Sequence, residues 1–276
     1  MNMIILDSKY QLLNSNYDFY SEKILFIQEN LYNDVDKQIW KSLINALVDN
    51  NNNHLLFENY LYYSDQQYLD CVNINNNDNI IEGGIFDGIT SSKIAKYLQD
   101  WIVYAFDPLS ENEKYELLNN RKIKIIRQAL WSKVRNLYFI NNGAGSYVAE
   151  DIFPRDIMTN YSTIKATTVD YFISNNKLAK FDFLKLDVEG AELNVLYGAI
   201  ESIKQFRPQL AISIYHSLDD FFSIPHLLMS ELSNYNFQIR LYSAALMDTV
   251  LYAIPKEKFL IKPYTTNKKG TIHVNT

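Results

Sequence analysis

Hydrophobic positions change their spacing along this chain. From Asn79 onward, short apolar runs alternate with stretches of helical periodicity. Asn79 to Glu82, Trp101 to Phe106, Lys122 to Arg127, Phe181 to Asp187 and Gln209 to Tyr215 read as strands. Thr90 to Gln99, a polar run through Leu118, Gly190 to Ile203 and Asp219 to Leu232 read as helices. Strand alternating with helix predicts an α/β fold with a mainly parallel, Rossmann-like sheet. Val134 to Ile140 and Thr163 to Thr168 read as strands around a glycine-bearing loop, Asn141 to Ser146. Phe237 to Tyr242 and Thr249 to Ala253 form a closing antiparallel pair.

Residues 1–78 carry a different pattern. Ile24, Leu25, Ile27 and Leu31, then Ile39, Leu43 and Leu47, recur at helical spacing over Tyr17 to Leu31 and Val35 to Val48. Asp34 and Asp36 suit the start of the second helix. Asparagine runs at 50–53 and 75–77 read as surface loops. The division expected is a helical lead-in over 1–78, serving as packing, lid or dimerisation arm, a main domain over 79–255, and a polar tail over 256–276. The tail reads either as an edge strand or as a loose end.

Composition narrows the classes. At 276 residues, with 47% hydrophobic and 21% charged positions, the chain can bury a full core. A net charge of -6 argues against a nucleic-acid-wrapping surface. A single cysteine, Cys71, excludes an intramolecular disulfide and a cysteine-rich zinc site. No stretch approaches a membrane span, and the first residues lack the basic region of a signal peptide, so the expected location is cytoplasmic. A homo-oligomer is compatible with all of this.

The candidate chemistry begins at Glu82-Gly83-Gly84-Ile85-Phe86-Asp87-Gly88, between the first strand and its helix. Such a turn lets backbone approach a ligand. Its spacing is not the G-x-G-x-x-G of dinucleotide binders, and Glu82 suits a cationic ligand better than a pyrophosphate. The ammonium and sulfonium of S-adenosylmethionine fit that description. Asp107, 19 residues after Gly88 and ahead of Pro108, sits where an acidic residue reaches a ribose diol; helix capping is the plainer role. Gln128 and Ala129 follow the third strand, where they either contact a base or merely turn the chain, and Ser146 belongs to the same rim. Asp187 ends a strand, and Glu189 and Glu192 follow within six residues. His216 ends the next strand, beside Asp219 and Asp220. It reads as a general base toward a hydroxyl or as a surface histidine. Asp187, His216 and Asp220 also make a divalent metal possible, which the spacing does not demand.

These motifs resemble the FkbM-type family of class I S-adenosylmethionine-dependent methyltransferases. E-G-G-I-F-D-G at 82–88, A-F-D-P at 105–108, T-V-D at 168–170 and L-K-L-D-V-E-G-A-E-L at 184–193 carry the resemblance, and R-P-Q-L-A-I-S-I-Y-H at 207–216 extends it. The family's usual loop is D-x-G-A-N-x-G, so Glu82, Ile85 and Phe86 replace Asp, Ala and Asn. The resemblance implies S-adenosylmethionine as cofactor and O-methylation of a hydroxyl on a sugar, glycan or other small molecule. With that cofactor, the expected contacts are Glu82, Gly83, Gly84, Phe86, Gly88, Asp107, Pro108, Gln128, Ala129, Ser146 and Asp187, and the expected catalytic residues are His216, Asp187 and Glu189. The competing readings are a nucleotide-cofactor oxidoreductase, and a non-catalytic scaffold supported only by Phe86.

Overall fold

The structure, a computed structural model, describes residues 13–49, 61–99, 102–108, 121–140, 147–150, 161–243 and 248–260, and the backbone of 264–266 and 272–274; at 13–18 and 48–49 it likewise describes the backbone alone. Two compact units emerge: residues 74–209, and residues 1–73 together with 210–276.

The first of these units is built on four parallel strands in the spatial order β3-β2-β1-β8: β1 (Ile80–Gly83), β2 (Val103–Phe106), β3 (Ile123–Ile126) and β8 (Phe183–Leu186). Every residue of β1, β2 and β8 is buried, as the continuous apolar runs require of strands covered on both faces. The register decides where chemistry can occur. Gly83 pairs with both Phe106 and Leu186, so the three strands end level. Gly84, Asp107 and Asp187, the next residue of each strand, therefore stand side by side at one carboxyl edge.

A second, four-stranded sheet in this unit has the order β4-β7-β5-β6, from β4 (Ala129–Leu130), β5 (Arg135–Ile140), β6 (Tyr147–Ala149) and β7 (Tyr161–Thr167). Ala129, Trp131, Leu137 and Ala166 form a core with Ala191, against which Val188 packs. That core anchors the turn after Asp187. Helix α3 (Ile89–Tyr97) follows the glycine loop, and α4 (Val169–Asn175) follows β7. The single helix expected over Gly190 to Ile203 is two: α5 (Glu192–Tyr197) and α6 (Ile200–Phe206). Gly198 makes the break, because its backbone lies against Trp131, where a Cβ would come within 2.3 Å of the carbonyl oxygen. The T-V-D text then serves both neighbours. Thr168 caps α4 by accepting from the Tyr171 amide, and Asp170 accepts from the Ser202 amide in the first turn of α6 at 2.8 Å.

The other unit packs α1 (Leu13–Asn30), α2 (Asp34–Asp49) and α7 (Leu218–Glu231) beside β9 (Gln209–Ser213), β10 (Tyr235–Leu241) and β11 (Thr249–Pro255). Strand β11 lies antiparallel to both Leu210–Ser213 of β9 and β10, the closing antiparallel pair expected. Trp40 stacks on Phe221 and Tyr20 on Phe222, with ring centroids 5.1 and 4.5 Å apart. Tyr32 and Tyr62 donate their amides to Phe237 and Leu241, both at 2.8 Å, so the N-terminal segment binds along β10. Asp34 and Asp36 both stand in the first turn of α2, as expected, and Asp36 has a second task. Its amide receives the cap from Asn33, while its fully buried carboxylate meets the Arg240 guanidinium at 2.6 Å. In the tail, β12 (Tyr264–Thr266) and β13 (Ile272–Val274) pair as an antiparallel hairpin. Among the described residues no helix is long and apolar enough to cross a membrane.

Candidate active site

The glycine loop leaves β1 through a dense set of backbone bonds. Gly84 donates to the Phe106 carbonyl at 3.0 Å, Gly88 to Ile85 at 2.9 Å, and the Asp187 amide to Gly83 at 3.0 Å. Gly84 has φ +80°, and a Cβ there would lie 1.8 Å from the Asp187 carbonyl oxygen. Only glycine lets the two loops approach this closely. Gly88, at φ +73°, precedes the first turn of α3. Between them Phe86 also takes a left-handed conformation, φ +52°, and its ring is 70% exposed.

Beneath the loop lies a charge pair. Glu82 is fully buried; one oxygen accepts from Ser91 Oγ at 2.5 Å and the other lies 3.5 Å from Lys185 Nζ. Burial pushes the Glu82 carboxyl up, while Lys185 and Ser91 pull it back. Lys185 Nζ donates to the Gly84 carbonyl at 2.5 Å and the Gly83 carbonyl at 3.4 Å. Glu82 thus sits under the loop, its carboxylate engaged by protein groups.

Asp187 stands half-buried at the end of β8, and the turn after it is folded around Glu192. The fully buried Glu192 carboxylate accepts from the Val188 amide at 2.7 Å and the Gly190 amide at 3.0 Å. Of the three carboxylates at this strand end, Glu192 therefore faces inward as a clamp. Glu189 is exposed, at φ +56°.

Asp107 is 6% exposed, and its Oδ2 accepts from the Ile85 amide at 3.3 Å, tying the end of β2 to the glycine loop. Pro108 follows it half-buried. Gln128 turns the chain after β3, its backbone amide donating to the Ile126 carbonyl at 2.8 Å, and Ala129 is buried in β4, paired with Ala166. Ser146 and the helix expected through Leu118 lie outside the described residues.

In the other unit, His216 follows β9, half-buried and packed on the Tyr215 ring at 4.2 Å. The next helix is capped by Ser217, whose Oγ accepts from the Asp220 amide at 3.0 Å and donates to Asp220 Oδ2 at 2.6 Å. Asp219 accepts from Ser223 Oγ. Each aspartate beside His216 thus has an oxygen engaged by its own helix. His226 lies within α7 with its ring 5.0 Å from Phe26.

Residues 73–239, more than half of the chain, match the model of the methyltransferase FkbM domain. The chain belongs to the FkbM methyltransferase family. A crystal structure of methyltransferase FkbM from Methylobacillus flagellatus superposes with a TM-score of 0.67 at 17% identity, over 87% of this chain. At that identity the likeness shows the fold, and this chain spans 60% of that one's length. A fibrillarin pre-rRNA processing protein from Methanococcus jannaschii aligns at 15% identity and a TM-score of 0.42, over 69% of this chain and 71% of its own. No curated protein matches the chain. The fold is the mainly parallel, Rossmann-like α/β architecture that the strand–helix alternation predicts.

Sequence reasoning gives Lys185 and Ser91 no task and counts Glu192 only as one of three carboxylates at the strand end. The first lies in the most specific FkbM text, K-x-D-x-E-G-x-E. A lysine inside an otherwise apolar strand was the available signal, because a buried ammonium needs partners.

Proposed function

We propose that this FkbM-family chain is an S-adenosylmethionine-dependent O-methyltransferase acting on a hydroxyl of a sugar, glycan or other small molecule. The observation that carries the reading is the level ending of three parallel strands, which sets a glycine loop between Asp107 and Asp187. The residues suit the cofactor. A strand-end carboxylate beside a glycine turn matches a ribose diol, and left-handed turns at Gly84 and Gly88 leave backbone close to whatever occupies the edge. When bound, S-adenosylmethionine supplies a methyl group on a cationic sulfonium.

The chain's own tasks are then binding, orientation and proton removal. In this reading Asp107 bonds the ribose, and Gly83, Gly84, Phe86 and Gly88 shape the methionine side. Pro108, Gln128 and Ala129 border the base. Asp187 and Glu189 orient the acceptor. His216 takes the acceptor hydroxyl's proton on a ring nitrogen, for which a histidine near neutral pH is suited. Titration calorimetry tests the reading. S-adenosylmethionine and S-adenosylhomocysteine should bind at a single site and nicotinamide dinucleotides should not; the reverse pattern would make the chain a redox protein. Methyl uptake by a panel of nucleotide-sugars and glycans then identifies the acceptor.

A further inference from the structure

The lysine of K-x-D-x-E-G-x-E has no assigned task, and its surroundings give it one. Lys185 is 3% exposed, in a strand whose other residues are apolar and fully buried. A methionine of similar length would fill the space at lower desolvation cost. What methionine lacks is the donor. Lys185 Nζ donates to the Gly84 carbonyl and also reaches the Gly83 carbonyl, which already accepts from the Asp187 amide, and Gly84 is confined because the Asp187 carbonyl lies against its α-carbon. A buried carbonyl without a donor is costly. A single ammonium under the loop would, however, repel a cationic ligand above it. Glu82 stands 3.5 Å from that ammonium and is itself fixed by Ser91 from α3. Two charges of opposite sign, both removed from water, leave the loop's underside neutral overall.

We infer that Lys185 is a positioning residue that fixes the glycine-loop carbonyls, and that Glu82 cancels its charge so that the site accepts a sulfonium as readily as an uncharged thioether. This inference rests on the cofactor reading above. S-adenosylmethionine and S-adenosylhomocysteine differ by the sulfonium charge and the methyl group, so the ratio of their affinities reports the field at the sulfur, and loss of loop order alone would weaken both.

The experiment is calorimetric titration of both compounds into the intact chain and into E82Q, K185M and E82Q/K185M. E82Q leaves an unopposed cation. It should weaken S-adenosylmethionine relative to S-adenosylhomocysteine by at least about tenfold, the effect of a unit charge about 12 Å away at an effective dielectric of about 20, and by more for a nearer one. K185M should weaken both compounds and move the ratio the other way. The double variant should also bind both more weakly, with the ratio back to within about twofold of wild type. Should one single variant fail to fold, the other carries the charge test, and the double variant, which buries no charge, carries the positioning test. Wild-type affinity in the double variant would remove the positioning role, and a wild-type ratio in a folded single variant would remove the charge balance. Failure of the wild-type chain to bind either compound would instead overturn the cofactor reading, and this inference with it.

Discussion

At the scale of single residues, similar carboxylates have opposite tasks. Glu189 and Glu192 lie three positions apart, yet Glu189 is exposed while Glu192 is closed around two backbone amides. Glutamine at 192 offers one acceptor oxygen where two donors converge. Glu192→Gln should therefore lower stability by about 1–3 kcal/mol, the cost of leaving a buried donor unmet. Glu189→Gln should stay within about 0.5 kcal/mol of wild type, as exposed substitutions do, while lowering turnover. Urea denaturation of the two variants separates these outcomes; equal midpoints would deny Glu192 its clamp. Asp107→Ala probes the ligand side and should weaken S-adenosylhomocysteine binding by about 1.5–3 kcal/mol, the range for hydrogen bonds to a charged group. Unchanged binding would remove Asp107 from the cofactor contacts and leave it a structural role, such as its bond to the Ile85 amide. His216→Ala should retain cofactor affinity and lose about 10²–10⁴ in turnover, the contribution of a positioned base. Its pH–rate profile should also lose an ionisation in the ordinary histidine range; a profile identical to wild type would exclude His216 as the base.

At the scale of elements, the sequence was most legible where burial is continuous. Strands β2 and β8 fall inside the runs that predict them and β1 ends one residue beyond its run, because strands covered on both faces are apolar apart from polar groups that pair, as Glu82 and Lys185 do. The helix after Asp187 was less legible. Its apolar stripe, Leu193, Leu196 and Ile200, continues across Gly198 without a phase break, so periodicity alone predicts one helix. The interruption comes from a distant neighbour: the Trp131 carbonyl needs the space that a side chain at 198 would occupy. Gly198 has φ -90°, so alanine meets no backbone penalty there and the cost is purely steric. Gly198→Ala should destabilise by about 1–3 kcal/mol, the usual range for overpacking. A thermal midpoint at or above wild type would mean that the Trp131 segment gives way freely.

At the scale of the whole molecule, what the sequence conceals is long-range pairing of polar groups. Asp36 reads as an ordinary first-turn aspartate, and Arg240 as a charge on a closing strand. They are 204 positions apart, yet Arg240 Nη1 donates to Asp36 Oδ1 at 2.6 Å, and the Ile239 amide donates to the same oxygen at 3.0 Å. The guanidinium also lies 4.8 Å from the centre of the Tyr62 ring, so a helix, a later N-terminal segment and a C-terminal strand meet at one buried cation. No local pattern announces such a contact, because its partners are chosen by tertiary packing. Burial pushes the Asp36 carboxyl up against the pull of Arg240, which shows how much desolvation the pair must offset. Removing one partner strands the other charge. Asp36→Ala should cost about 3–5 kcal/mol, whereas Asp34→Ala, at the exposed start of the same helix, should cost at most about 1 kcal/mol. Replacing both charges at once distinguishes pairing from packing. Asp36→Leu with Arg240→Met should recover most of the stability lost in Asp36→Ala, since a buried ion pair and an apolar pair of similar volume are often nearly equivalent. Chemical denaturation of the four proteins checks this. An Asp36→Ala loss no larger than that of Asp34→Ala would show that the pair adds nothing to the hold of α2 on β10, leaving that docking to the aromatic packing of Trp40 on Phe221.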